Sequence, residues 1–310
     1  MTSREDRSMF MRQHERGFVI VAVLWILAAL ASLAMVFSAY LSNSAHVLAT
    51  NDTALQGEAL ISSSVELTAY QLSLGDEKAR PATGRFQYRL SGAEILVSFA
   101  SEAARVDLNA APKELLVNLL TGLGAEEDAA KGYADRIVAW RTRATGQTAE
   151  NETALYRAAG LAYAPRQAPF AHVDELSLVL GLPAILVDRM LLFVTVFSGS
   201  SGIDALIAPP EVVAALPGMT PLVLKDFLNS RSALPRDNAA LATALGPAKA
   251  GAELPTSKAY RIVTTIRFGN GNERSSEVVI GLGGKDAPYR VLSWREERPR
   301  RSAKVAELRR

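Results

Sequence analysis

"HERGFVIVAVLWILAALASLAMVFSAYLSN" runs from His14 to Asn43, and its reading decides the rest of the chain. From Phe18 to Leu41 there is no charged residue, and the only polar side chains are Ser32, Ser38 and Tyr40. A helix needs about 20 apolar residues to cross the hydrocarbon core of a bilayer. Core helices of soluble domains are usually shorter and keep a polar stripe. A secretory signal has an apolar region of about 7–15 residues and ends at a small-residue cleavage site. This stretch is longer, and more helix follows Leu41. It reads as a retained transmembrane helix over 18–41, preceded by a short basic segment over 1–17.

Basic residues set the orientation. Arg4, Arg7, Arg12 and Arg16 precede the span, and the first twenty residues after it contain no Lys or Arg. The positive-inside rule then puts the N-terminus in the cytoplasm and the bulk of the chain on the other side, in the periplasm. The 310 residues include no Cys, which excludes disulfide staples, thiol nucleophiles and thiolate metal sites. The net charge of +2 gives no overall signal for a polyanionic partner. The exception is the end, "REERPRRSAKVAELRR", with seven basic residues against three acidic. Residues 296–310 read as a solvated, disordered tail.

Beyond the span the helix has no reason to stop. Between Leu41 and Leu74 there is no Pro, and Gly57 is the only Gly. Val47, Ala54, Ile61, Val65 and Leu72 fall on one stripe, with Leu48, Leu55, Ala59 and Tyr70 adjoining it. One helix from Phe18 to Leu74 would be roughly 85 Å long at about 1.5 Å per residue. Its second half would bury one face against a domain. Strands follow. Phe86, Tyr88 and Leu90 alternate with polar residues, Ser91-Gly92-Ala93 is a turn, and Ile95, Val97 and Phe99 alternate again. Three more strands are expected at 260–268, 273–282 and 289–294.

Between the two strand groups the texture changes. "KELLVNLLTGLG", "AAKGYADRIVAWRTR", "VDELSLVLGL", "AILVDRMLLFVTVF", "PEVVAALPGMT" and "LVLKDFLNSR" read as short helices. The simplest topology is an α+β domain, its first part over 42–104, interrupted by an all-helical domain over 105–252. Strands within 253–295 then complete the sheet. Two domains in series would leave a lone hairpin at 85–100, which is only marginally stable.

These pieces resemble a known family. A basic leader ending in Gly17, an apolar helix starting at Phe18 and a long helix on a small sheet resemble a type IV prepilin-type protein. The insert is similar to that of the general secretion pathway protein K family, minor pseudopilins of the type II secretion system. The resemblance rests on Asp107-Leu108-Asn109-Ala110-Ala111, "PKELLVNLL", "ADRIVAWR" and "PFAHVDELSLVLGL". It implies a type IV pilin-like fold, prepilin peptidase cleavage between Gly17 and Phe18, and N-methylation of Phe18. It also implies a place in the bacterial inner membrane and I- and J-type minor pseudopilins, with other pseudopilins, as partners. Pilins carry Glu as the fifth residue after the cut, where it pairs with a neighbour's amine in lipid. Here that residue is Ala22. A subunit at the tip has no preceding amine to neutralise, so Ala22 fits a tip position.

Two expectations concern ligands. Family members can bind calcium through acidic residues after the Trp. Here Trp140 is followed by Arg141 and Arg143, leaving Glu150 and Glu152 as the calcium candidates. The alternative function is a membrane-anchored helix-hairpin-helix DNA-binding protein of a competence-like system. The stretches 108–125 and 203–228 have that look, and Gly122 and Gly124 have the right spacing for a phosphate loop. Basic residues around them are sparse, so no nucleic acid is expected. Catalysis is not expected either. His172 with Asp174 and Glu175 reads as the acidic first turn of a helix, and no nucleophile elbow, phosphate loop or zinc spacing is present.

Overall fold

The structure is a computed structural model describing residues 11–297, except 75, 78, 79, 256, 257 and 284–286; side chains of 11–18 and 39–53 are also left undescribed. The chain divides into two compact units, Met1–Ala59 and Leu60–Arg310. Helix α1, Met11–Ser73, supplies the first unit and enters the second. It begins ahead of Phe18, where the sequence reading had started it. "MRQHER" contains no helix breaker, and one Gly costs a helix only about 1 kcal/mol.

In the second unit the last turns of α1 bury Leu60, Ile61, Ser64, Val65, Thr68, Ala69 and Leu72. The expected adjoining stripe is not buried: Leu55 and Tyr70 are each 63% exposed. The contact is therefore a single narrow face. It lies on a five-stranded antiparallel sheet ordered β1-β2-β5-β6-β7. The strands are β1 Thr83–Leu90, β2 Ala93–Ser101, β5 Ala259–Arg267, β6 Glu273–Leu282 and β7 Tyr289–Glu297. Ile95, Val97, Phe99, Tyr260, Ile262, Ile266, Val278, Ile280 and Leu282 close on the helix. Leu90, expected inward, lies at the strand end and is exposed. Ser91 and Gly92 both adopt positive φ, as a two-residue hairpin with right-handed twist requires. Gly84 pairs with Phe99, whose ring fills the space a Cβ at 84 would take.

Sequence neighbours β1 and β2 begin the sheet, and β5, from the far end of the chain, pairs directly with β2. Everything between leaves and returns through adjacent strands. β7 runs to Glu297, so 296 and 297 are strand; their ladder partners Ser276 and Ser275 extend it past the expected end. Residues 298–310 of the expected tail, and 1–10 of the expected leader, lie outside the described residues.

The intervening segment has its own core, from Val106 to Leu245. Its helices are α2 Lys113–Gly122, α3 Glu127–Arg141, α4 Gln147–Ala158, α5 Ala184–Met190, α6 Pro210–Ala214, α7 Pro221–Ser230 and α8 Asn238–Leu245. It is not all helix. Val106–Asp107 (β3) pairs in parallel with Val194–Thr195 (β4), inside a stretch expected to be helical. The β-branched Val194, Thr195 and Val196 favour the extended chain there. "VDELSL" is a tight 3-10 segment, Val173–Leu178.

Candidate functional site

Two parts of the chain stand out: the exposed apolar helix and the insert. Val19–Ser38 has a mean hydropathy of 2.8, and none of it is buried. Trp25 is 74% exposed and Met35 78%. A continuous apolar surface of that length is long enough to cross a bilayer, and lipid would cover it. Gly17 and Phe18 lie within α1, with side chains outside those described. Ala22 lies on the span and is half-buried.

The insert is rooted by a charge network. Glu102 is fully buried in the short turn after β2. It accepts from Arg261 Nε at 2.7 Å and Nη2 at 3.0 Å, and from the Thr195 hydroxyl. Arg261 donates its remaining arm to Glu277 on β6. Burial disfavours the Arg261 charge, but Glu102 and Glu277 outweigh it and raise its pKa above the usual range. One cation thus ties the sheet to both ends of the segment 102–195.

Above this root sits Asp107-Leu108-Asn109-Ala110-Ala111. Asp107 accepts from Asn109 N at 2.8 Å, Gly199 N at 2.7 Å and Ser198 Oγ at 3.0 Å. Asn109 makes a reciprocal pair with the backbone of Phe170, at 2.7 and 3.0 Å. Arg141, at the end of α3, donates to Leu108 O and Ala111 O. Glu175 receives the Trp140 indole at 3.1 Å, Arg166 at 2.6 Å and Ala171 N at 3.1 Å. Trp140 stacks on Phe170 at 6.0 Å. Asn118 of "PKELLVNLL" donates to Ala215 O at 3.1 Å, so each of the four motifs holds a contact between segments far apart in the chain.

Residues 96–199 match the family model for the type II secretion system protein K. The match takes in the end of β2 and the insert as far as residue 199. A chain of the GspK–GspI–GspJ complex from the type 2 secretion system of enterotoxigenic Escherichia coli shares the fold. The TM-score is 0.59 at 17% identity, over 81% of this chain and 99% of that one. No curated protein matches the sequence.

The remaining candidate residues also lie in the insert. Glu150 and Glu152 both lie on α4. Two positions apart on a helix is about 200°, so the two carboxylates face apart. Among the described residues no group of three or more acidic or His side chains could hold a metal. Arg141 is committed to the two carbonyls, and burial lowers its pKa. His172 acts as a helix cap: its Nδ1 accepts from Asp174 N at 3.3 Å.

The two hairpins resembling DNA-binding units are occupied from inside. In the α2–α3 turn Gly124 has φ of 100°, and Arg189 fills the adjoining space, donating to Leu123 O at 2.7 Å. The start of α3 carries Glu126, Glu127 and Asp128, which would repel a phosphate. In the α6–α7 turn Gly218 packs against Pro247 O.

Sequence reasoning missed Glu102, Arg261, Asp204 and Arg236. Asp204 is buried and pairs with Arg236 at 2.5 Å. Burial raises its pKa, with Arg236 opposing. The available signal was local: an acid flanked by small and apolar residues, Glu102 in "FASEAA" and Asp204 in "GIDALIA".

Proposed function

We propose that the chain is a minor pseudopilin of the type II secretion system that caps the tip of the pseudopilus and thereby assists protein export. It is held in the bacterial inner membrane by 18–41, with its N-terminus in the cytoplasm and its folded part in the periplasm. The observation that carries this reading is the origin of the insert, matched by the protein K family model as far as residue 199, between two adjacent strands of a pilin-like sheet. A bulky insert there hinders a subunit from adding above, while α1 remains free to pack on subunits below. The complex named above contains GspI and GspJ. That supports I- and J-type minor pseudopilins as neighbours. The chain works as an assembly subunit; cleavage and methylation at Phe18 are done to it by prepilin peptidase. Calcium is not assigned a role.

The test is at the N-terminus. Mass spectrometry of the membrane form should find a chain beginning at N-methylated Phe18. Gly17→Val should leave the precursor uncut, because a side chain beside the scissile bond obstructs the peptidase. A mature chain that keeps Met1 in cells with active peptidase refutes the reading. The tip position has its own test. An ionised carboxylate without a partner in lipid costs about 2.5–3.5 kcal/mol on insertion scales. Ala22→Glu should therefore leave secretion unchanged or lower it, with crosslinks still confined to one position. Crosslinks spread along the pseudopilus would place the chain in the shaft.

A further inference from the structure

The sheet face turned away from α1 is built for something else. Ladder pairing aligns Arg85, Ser98 and Val263 across β1, β2 and β5, then Gln87, Leu96 and Thr265, then Arg89, Glu94 and Arg267. Arg85, Gln87 and Arg89 are exposed, and Leu96 is 40% exposed. Where this face meets the insert there is a cleft of about 230 Å³. Ser98, Ala100 and Val263 of the sheet, Ile207, Pro209 and Arg105 line it, together with the paired Glu102 and Arg261.

The charges on this face do not balance. Arg85 has no ion-pair partner among the described residues. Arg89 and Arg267 share Glu94 at 3.9 Å each, and Arg267 also reaches Glu273 at 3.7 Å. Arg105 donates to Leu192 O and has no carboxylate at ion-pair distance among the described residues. The nearest acid, Glu102, is already taken up by Arg261 and Thr195. Burial, then repulsion from Arg261, lowers the Arg105 pKa, with Glu102 and Glu277 opposing. A half-buried cation at the wall of an apolar cleft favours an incoming carboxylate, which gains strength from the low local dielectric.

We infer that this face docks an extended acidic segment of another protein, one carboxylate entering the cleft toward Arg105 and neighbouring apolar side chains resting on Leu96 and Val263. Four arginines against Glu94 and Glu273 supply the complementary charge. The alternation of apolar and charged positions across the strands matches a segment whose side chains alternate in the same way. The cleft is side-chain sized, and a flat layer of lipid headgroups does not reach Arg105. The inference does not depend on where the chain sits in a pseudopilus.

The test uses the full chain in detergent and a fluorescein-labelled peptide alternating Glu with Val, read by anisotropy. Binding is expected, and Arg85→Glu, Arg105→Gln and Ser98→Trp should each weaken it by about tenfold. The Arg85 side chain is exposed, so its variant tests the charge without risk to the fold. The Trp fills the cleft without removing charge. A Glu peptide lacking Val should bind at least about tenfold less tightly. Equal binding by all three variants, or equal binding of a single-stranded oligonucleotide of matched charge, overturns the proposal. So does the absence of peptide binding.

Discussion

The sheet with the end of α1 and the insert each bury a core of their own, yet they are specified differently. In the sheet, each inward residue follows from its neighbours two positions away, and the helix face from positions three and four apart. In the insert, the buried residues of α2, α3 and α5 keep the same three-and-four spacing, which marks the inner face of each helix but not which helices meet. What fixes the fold there is polar contact between remote positions: Asp107 with 198–199, Asn109 with 170, Arg141 with 108 and 111, Glu175 with 140, 166 and 171. A periodic region tolerates substitution because hydrophobicity of roughly the right size suffices. A stapled region does not, because each lost partner strands a buried donor or acceptor.

The largest effect should come from breaking the root that joins the two. Glu102→Ala leaves Arg261 only Glu277 in a buried setting, a change worth about 3–5 kcal/mol. Because Glu102 touches both the sheet and Thr195, hydrogen exchange should accelerate together in β5 and in α2. Acceleration in one region alone would mean that the two are held independently, and the comparison would need redrawing.

A smaller and local effect is expected from Asp107→Ala. It strands the amides of Asn109 and Gly199, a loss of about 2 kcal/mol. Exchange should rise in α2, α3 and the segment near 170, and Trp140 fluorescence should shift. The sheet amides should stay protected. If they do not, Asp107 is part of the root rather than of the insert.

The same division explains what was legible in the sequence. Ile95, Val97 and Phe99 alternate in the sequence and are buried in the structure. Ile61, Val65 and Leu72 are likewise inward. The hairpin turn was readable because Ser91-Gly92 has the chemistry for positive φ. By contrast, α4 looks polar and was not among the expected helices; one buried Tyr156 pins it, its hydroxyl accepting from Leu180 N at 3.0 Å. The β3–β4 pair is two residues long and joins positions 88 apart, as in Val106 with Val194. No local pattern encodes such a pairing. The family motifs marked where the staples are without saying what they join. The outward Leu55 and Tyr70 were misjudged because a sequence wheel gives the direction of a face and not its width.

The smallest effect sharpens the comparison from the periodic side, where the Tyr88 hydroxyl meets Ser63 and Ser64 on α1 and a second polar contact joins β7 to the same helix. The Tyr289 hydroxyl on β7 donates to Glu66 Oε1 on α1 at 2.7 Å. Burial, then the bond to Glu66 and its negative charge, pushes the Tyr289 pKa up to about 12 from 10.0. The folded state therefore holds this proton more tightly than the unfolded one. Its contribution to stability is fully present below pH 10 and is lost as pH rises from 10 toward 12, because the unfolded tyrosine ionises first. Glu66 is exposed, so solvent screens the contact and the effect is small. Tyr289→Phe removes the hydroxyl and this pH dependence with it. Below pH 10 the variant should have a slightly lower urea midpoint than the parent, by at most about 1 kcal/mol of stability. Near pH 12 the two midpoints should converge, and the comparison cancels the titration of every other tyrosine. A gap that stays constant across that range would show that the β7–α1 contact rests on packing of the ring.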